Sequence, residues 1–196
     1  IERIDDIDPS GGTILIIRAH GISPEERTRI RDRGVTIVDA TCPKVAHVQS
    51  IIKKHATRDY TTVIVGDREH PEVNGLLGYA GERGVVLSRE SEVENLPDTD
   101  RLCVVAQTTQ NMDEYNRIVA GIRKRFPAAV IFNTICDSTE RRQSEVKELA
   151  KRADAMIIIG GKNSANTRRL AGLSEQEGKP TFHIETVKEL PNRVIA

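Results

Sequence analysis

The sequence predicts an α/β fold of repeated βα units with mostly parallel sheets, gathered into two to three similar lobes around a central site. Three observations lead there. Apolar runs rich in β-branched residues alternate with segments of helical period along the chain, which is the pattern of βα units. The strand-like runs are near-continuous in apolar residues, as expected of parallel strands covered on both faces. Strand, polar cluster and helix recur about every thirty to forty residues, a loose structural repeat.

Residues 13–17 (TILII) open the series as a strand. A helix follows over 24–33, because Ser23 stands three residues before Glu26, a capping-box spacing, and Pro24 takes the first helical position. Residues 35–38 form the second strand, and a helix over 44–56 starts after Pro43. Further strands are predicted at 61–65, 85–87 and 102–106, then a helix at 113–125 and a strand at 129–132. A helix at 140–152 and a strand at 155–159 precede the last helix, 166–177, which Gly178 ends. The final strand is 181–184, and the apolar triplet 194–196 resembles the start of another. With no Met at its start, the chain reads as cut from something longer. Lobe boundaries fall near two cysteine-bearing turns: 1–42 as the remainder of a first lobe, 43–133 as a second, and 134–196 as most of a third.

Composition narrows the function classes. Lys plus Arg and Asp plus Glu each number 29 in 196 residues, so no net charge draws the chain to nucleic acid or to an acidic membrane. Aromatic residues are 3% and Trp is absent, which argues against base-stacking platforms. The three cysteines are odd in number and widely spaced, a usage that fits a reducing compartment better than a disulfide framework. The longest apolar runs are too short to span a bilayer, and no leader opens the chain. The expectation is a cytoplasmic protein with no nucleic-acid or membrane partner.

Function is concentrated in the residues just past each strand. The clusters are Arg18-Ala19-His20-Gly21, Asp39-Ala40-Thr41-Cys42-Pro43, the run 66–72 ending His70-Pro71-Glu72, Gln107-Thr108-Thr109-Gln110, the run 133–139 holding Cys136, and the run 160–166. Each has a plain reading: Ser, Thr, Asn and Asp before a helix are usually N-caps, and Gly there usually serves a turn. By that measure Thr109, Thr134 and Thr139 are expected as caps. His47, His55 and His183 are expected as structural or surface residues, and 140–142 as a solvated helix face. Taken together the clusters say more. The carboxyl ends of parallel strands fall on one edge, so His20, Cys42, His70, Glu72, Thr108, Cys136, Ser164 and Asn166 could converge. Helix N-termini on that edge suit phosphate, and Glu72 with Thr108 would supply a proton donor and a hydroxyl relay. Cys103 lies inside a strand and is read as a small buried hydrophobe.

With these residues lined up, the chain resembles the 4-hydroxy-3-methylbut-2-enyl diphosphate reductases, the LytB family of isoprenoid biosynthesis. The segments RAHGISPE, DATCPKVAHV, HPEVNGLLGY, AQTTQ, ICDSTERRQ and GGKNSANTRRL carry the resemblance, in the family's order, over residues 14–189. It implies reductive removal of the substrate hydroxyl by two electrons and protons on an iron–sulfur cluster, a [4Fe-4S] centre held by three cysteines. The products are isopentenyl and dimethylallyl diphosphates of the non-mevalonate route. It also implies an electron-donor protein of ferredoxin or flavodoxin type as partner. Residue by residue, Cys42 and Cys136 match two cluster ligands. His20, His70, Ser164 and Asn166 match diphosphate-binding positions, and Thr139 matches a further pocket threonine. Glu72 matches the proton-delivering carboxylate and Thr108 the hydroxyl beside it.

The departures shape the expectation for this chain. The family's first cluster cysteine, a further substrate histidine and a closing turn with a phosphate-binding serine have no counterpart here, and Ala165 stands where many members have a second serine. Two thiolates leave a four-iron cluster short of a ligand, so the expectation is no stable cluster and little or no activity in this chain alone. Two other readings stay open. One is a clusterless diphosphate-binding or assembly domain. The other is a zinc hydrolase using His20, His70, Glu72 and a cysteine, which lacks a tight ligand pair such as H-E-x-x-H or C-x-x-C.

Overall fold

The computed structural model describes residues 12–191. The strand expected at 194–196 lies outside the described residues. Among the described residues, eight strands and six α-helices follow one another, alternating except between β4 and β5: β1 (Ile14–Ile17), α1 (Pro24–Asp32), β2 (Thr36–Asp39), α2 (Pro43–Ala56), β3 (Thr61–Val65), α3 (Pro71–Ala80), β4 (Gly84–Leu87), β5 (Leu102–Ala106), α4 (Met112–Arg125), β6 (Val130–Ile131), α5 (Asp137–Arg152), β7 (Met156–Ile159), α6 (Ala165–Gln176) and β8 (Thr181–Ile184). Short 3₁₀ turns stand at Gly81–Arg83, Glu90–Asn95 and Val187–Glu189. The fold is α/β and every strand pair is parallel, in sheets ordered β1-β2, β4-β3-β5-β6 and β7-β8. Among the described residues, no helix is long and apolar enough to cross a membrane.

The chain divides into two compact units. The first holds the described residues up to 108 together with 114–134; the second holds 109–113 and the described residues from 135 on. In the first, β3 and β5 lie at the centre of the four-stranded sheet, and every residue of both is buried. Val48 and Ile52 of α2 and Val73, Leu76 and Ala80 of α3 pack there with Ile64, Val86, Cys103 and Val105. A smaller cluster joins Ile30 of α1 to Val35, with Leu15 and Ile37 beside them. In the second unit, Val146 and Ala150 of α5 meet Ala171 and Leu173 of α6 over Met156 and Ile158 of β7.

Two expectations change. The prediction that all strands are covered on both faces holds for β3 and β5 only. β1 and β7 alternate, leaving Ile14, Ile16 and Ile159 between 63% and 72% exposed. A two-stranded sheet with its helices packed on one face buries alternate residues only. The second change is α3, a helix that the sequence pattern does not announce. Two glycines in ten residues hide it, since each lowers intrinsic helix preference by about 1 kcal/mol, while Pro71 at its first turn is compatible with a helix start. Gly78 has a steric reason, whereas at Gly75 an added Cβ would make only ordinary contact. Gly75 lies 3.5 Å, at an added Cβ, from the Ile22 backbone, and a Cβ on Gly78 would overlap Ser23. Helix α3 thereby lies directly against the segment that follows His20. Ser23 caps α1 there, with the reciprocal Glu26 bond in place.

Gly78→Ala and Gly121→Ala are therefore expected to move stability in opposite directions. Alanine at 121 in α4 meets nothing closer than 3.5 Å and should stabilise by about 0.5–1 kcal/mol. Alanine at 78 must displace Ser23 and should destabilise by roughly 1–3 kcal/mol. Chemical denaturation of the two variants checks the sign; stabilisation by both would remove the close approach at Gly78.

Candidate functional site

In the first unit, the parallel register pairs Val65 at the end of β3 with Ala106 at the end of β5. The ladder continues one residue further, with Gln107 N donating to Val65 O at 2.8 Å. Gln107 is fully buried, and its Oε1 accepts from Asp67 N at 3.0 Å. That bond pins the turn leading to α3. Gly66 is required beside it, because a Cβ would fall 2.9 Å from Gln107 Cβ and 2.8 Å from Val73. The turn ends at His70, the N-cap of α3, whose Nδ1 accepts from Glu72 N at 3.1 Å.

Glu72 and Thr108 come together as the sequence predicts. Glu72 is 2% exposed and Thr108 6%. Thr108 donates twice to one carboxyl group: its N to Oε1 at 2.6 Å and its Oγ1 to Oε2 at 2.8 Å. Both carboxyl oxygens therefore act as acceptors, which is what a buried carboxylate requires.

His20 and His70 also meet. Their rings stand edge to face, with centroids 5.1 Å apart and planes at 82°. Burial, with Arg18 nearby, lowers the His20 pKa. Two imidazolium charges at that separation would repel by about 3 kcal/mol at an effective dielectric near 20. His20 Nδ1 is buried without a hydrogen-bond partner. So is Nε2 of Gln49, a buried residue of α2. It lies 2.5 Å from where a Gly21 Cβ would sit, and Gly21 has φ +70°, so glycine is needed there on two counts. Cys42 is half-buried at the N-cap of α2, with its N donating to Ala19 O at 3.0 Å. The turn before it is held by Asp39, which accepts from Thr41 N at 2.9 Å, from Thr41 Oγ1 and from Arg27 of α1. The Thr41 hydroxyl, then the Arg27 guanidinium, pull the Asp39 pKa down to about 2 from the ordinary 3.8.

In the second unit, Cys136 is the N-cap of α5, half-buried, with Ser138 Oγ 3.2 Å from its sulfur. Thr139 is buried one turn further on. Ser164 caps α6 by accepting from Thr167 N at 3.3 Å, and Asn166 Oδ1 is buried without a partner. Gln143 of α5, also buried, clamps the segment after Thr108: its Oε1 accepts from Met112 N at 3.0 Å and its Nε2 donates to Gln110 O at 2.8 Å. Arg169 of α6 donates to Thr109 Oγ1 at 3.1 Å.

The cap expectations for three threonines are corrected. Thr134 Oγ1 takes the place of a strand partner, bonding both N and O of Ala106. Thr109 is the acceptor for Arg169, and Thr139 lies inside α5 after the cap at Cys136. Among the other histidines, His55 Nδ1 bonds Ile51 O, and its ring packs on Tyr60 and Phe132. Sequence reasoning missed Gln49, Gln107 and Gln143, along with Arg27. Amides on helices and strand ends carry no periodic signal, although Gln107 and Gln143 stand inside the segments AQTTQ and ICDSTERRQ.

Cys103 is fully buried in β5, and burial alone pushes its thiol pKa to about 12. Two cysteines remain available as metal ligands. Among the described residues, no group of three or more His, Cys, Asp or Glu is placed to hold a metal ion. The residues present do not make up the three-thiolate set of an iron–sulfur centre, nor a zinc site of three protein ligands.

The chain as a whole is similar to known proteins. The family model described as LytB protein matches residues 1–196. The chain is 42% identical over 183 residues to the 4-hydroxy-3-methylbut-2-enyl diphosphate reductase of Opitutus terrae, a match covering 93% of this chain and 63% of that one. It is 40% identical to the reductase of the same name from Pelobacter propionicus, over 97% of this chain and 68% of that one. The solved structure of the E-1-hydroxy-2-methyl-but-2-enyl-4-diphosphate reductase from Plasmodium falciparum superposes with a TM-score of 0.93 at 30% identity, over 100% of this chain and 62% of that one. The chain thus spans about two thirds of the length of the proteins it matches.

Two outcomes test the site as described. Glu72→Gln should change unfolding free energy by less than about 1 kcal/mol, because the amide oxygen can accept from Thr108 N while the amide nitrogen donates to Thr108 Oγ1. Thr108→Val should cost more, roughly 1–3 kcal/mol, since it removes the hydroxyl that donates to Oε2 of the buried carboxyl group while only the bond from its N to Oε1 remains. Equal effects in urea denaturation would contradict the two-point geometry. For Asp39, a folded pKa below the ordinary value means that its interactions add stability above about pH 4 and lose it as pH falls toward 2. The melting-temperature gap between the parent chain and Asp39→Asn should close over that window; a gap independent of pH would contradict it.

Proposed function

The chain belongs to the LytB protein family, and we propose that it carries the diphosphate-binding and proton-transfer residues of a 4-hydroxy-3-methylbut-2-enyl diphosphate reductase. The observation that carries this reading is the buried Glu72–Thr108 pair, beside the helix start capped by His70. The reaction breaks the allylic C–O bond, releases the oxygen as water and forms a C–H bond. It consumes two protons and two electrons, the electrons coming from a one-electron donor protein of ferredoxin or flavodoxin type.

In the proposal the chain's own residues handle the diphosphate and the protons. His20 and His70 hold diphosphate oxygens, as do Ser164 and Asn166 with the first N–H groups of α6. Thr139 contributes to the pocket. Glu72 takes up a proton on its carboxylate and passes it to the allylic carbon, while the Thr108 hydroxyl, bonded to Oε2, turns to hold the carboxyl group in either state. Cys42 and Cys136 are proposed as two cluster ligands; because they do not complete a site by themselves, no step is assigned through the cluster. The lobe boundaries at 42/43 and 133/134, and a cytoplasmic location, belong to the same proposal. The donor set also favours a second reading, in which this chain binds a diphosphate without holding a cluster.

Anaerobic reconstitution with iron and sulfide tests whether this chain alone can hold a cluster, which the second reading forbids. The expectation is less than one cluster per chain and a chromophore lost on desalting; a persistent, stoichiometric four-iron chromophore would sink the second reading. Calorimetric titration with inorganic pyrophosphate tests what both share. Ser164→Ala and Asn166→Ala should each weaken binding about tenfold, the equivalent of one lost hydrogen bond. No binding by the parent chain would overturn the diphosphate assignment.

A further inference from the structure

We infer that the peptide N–H of Glu72 fixes the tautomer of His70, so that His70 meets an anionic oxygen as a neutral Nε2–H donor and not as an imidazolium. Glu72 would then act twice, once through its carboxyl group and once through its main chain.

The argument is one of donors and acceptors. Glu72 N can only donate, and it lies 3.1 Å from His70 Nδ1. Nδ1 must therefore carry a lone pair, and in a neutral ring the proton then sits on Nε2. The bond is a structural requirement of α3 as well. His70 is its N-cap, with extended backbone (φ −78°, ψ 133°), and the bond satisfies one of the N–H groups that a helix start leaves without an intrahelical partner. A proton on Nδ1, in the other tautomer or in the imidazolium, would turn two N–H groups against each other and remove the cap.

The neighbouring ring points the same way. His20 stands edge to face with His70 at 5.1 Å, and its own pKa is lowered by burial with Arg18 nearby. A pair of neutral rings fits that contact better than a pair of charges. His20 also keeps a buried Nδ1 without a partner, a polar atom that an incoming ligand or its water can satisfy. The diphosphate as ligand rests on the functional reading above. The tautomer rests on the helix cap and does not depend on that reading.

Nitrogen-15 spectroscopy of the histidine rings in this chain at neutral pH tests the inference, with His70→Asn used to assign the signals. Asparagine is itself a strong N-cap, so that variant keeps the cap of α3 while removing the ring, with its Nε2 donor and its contact with His20. The expected spectrum shows Nδ1 of His70 unprotonated and Nε2 protonated. Inorganic pyrophosphate should shift the Nε2 signal while Nδ1 keeps its lone pair, and His70→Asn should weaken pyrophosphate binding about tenfold at an unchanged melting temperature. A protonated Nδ1 overturns the inference even where pyrophosphate binds, and the diphosphate reading then stands without it. An unprotonated Nδ1 with no response of Nε2 to pyrophosphate overturns the donor role, and with it the assignment of His70 to the diphosphate.

Discussion

The parallel pairing of Val65 with Ala106 is the constraint from which the first unit's site is built. Two strands that end side by side release their following residues side by side, on the same edge of the sheet. One strand runs into Gly66 and the turn that leads to His70 and Glu72. The other runs into Gln107 and Thr108. The side chain of Gln107 then reaches across to Asp67 N, and Thr108 meets the carboxyl group of Glu72 with both of its donors. A carboxylate as buried as Glu72 persists because those donors replace water. The central position of β3 and β5, buried along their whole lengths, makes this register hard to slip.

The same logic recurs wherever a strand passes into a helix. Cys42, His70, Cys136 and Ser164 are the N-caps of α2, α3, α5 and α6. His70 and Ser164 cap through their side chains, and the two cysteines do not. A thiol is a weak acceptor, so the helix starts at the cysteines are supported in other ways. Pro43 presets the first turn of α2, and Asp137 and Glu140 place negative charge at the start of α5. Neither thiol serves as the cap acceptor of its helix, and the Cys136 sulfur lies 3.2 Å from Ser138 Oγ of α5.

Much of this was legible in the chain. The apolar runs at 61–65, 102–106 and 181–184 are strands β3, β5 and β8 to the residue, because a β-branched run bounded by polar clusters has few alternatives. The capping box at Ser23 and Glu26 formed as its spacing required. Helix α3 was hidden by its two glycines, of which Gly78 answers to Ser23 and Pro24 and not to helical preference. The caps expected of Thr109, Thr134 and Thr139 failed for a related reason: a hydroxyl near a helix start has several backbone partners within reach, and which one it takes depends on the neighbouring strand or helix. Thr134 found both backbone groups of Ala106, and Thr109 found Arg169.

By itself, the sequence determined the α/β class, the parallel pattern and the polar identity of each strand end. These come from local periodicity and from residue types that few other positions tolerate. It also marked Cys103 as a buried thiol, since a cysteine within an unbroken apolar run has nowhere else to go. Only the tertiary structure decided which polar residues touch. Glu72 and Thr108 are 36 residues apart, His20 and His70 are further apart still, and no local rule links either pair. The buried amides of Gln49, Gln107 and Gln143 were likewise silent in the sequence. A glutamine reads as surface until a fold surrounds it, and its role depends on which backbone groups that fold leaves within reach of its two ends.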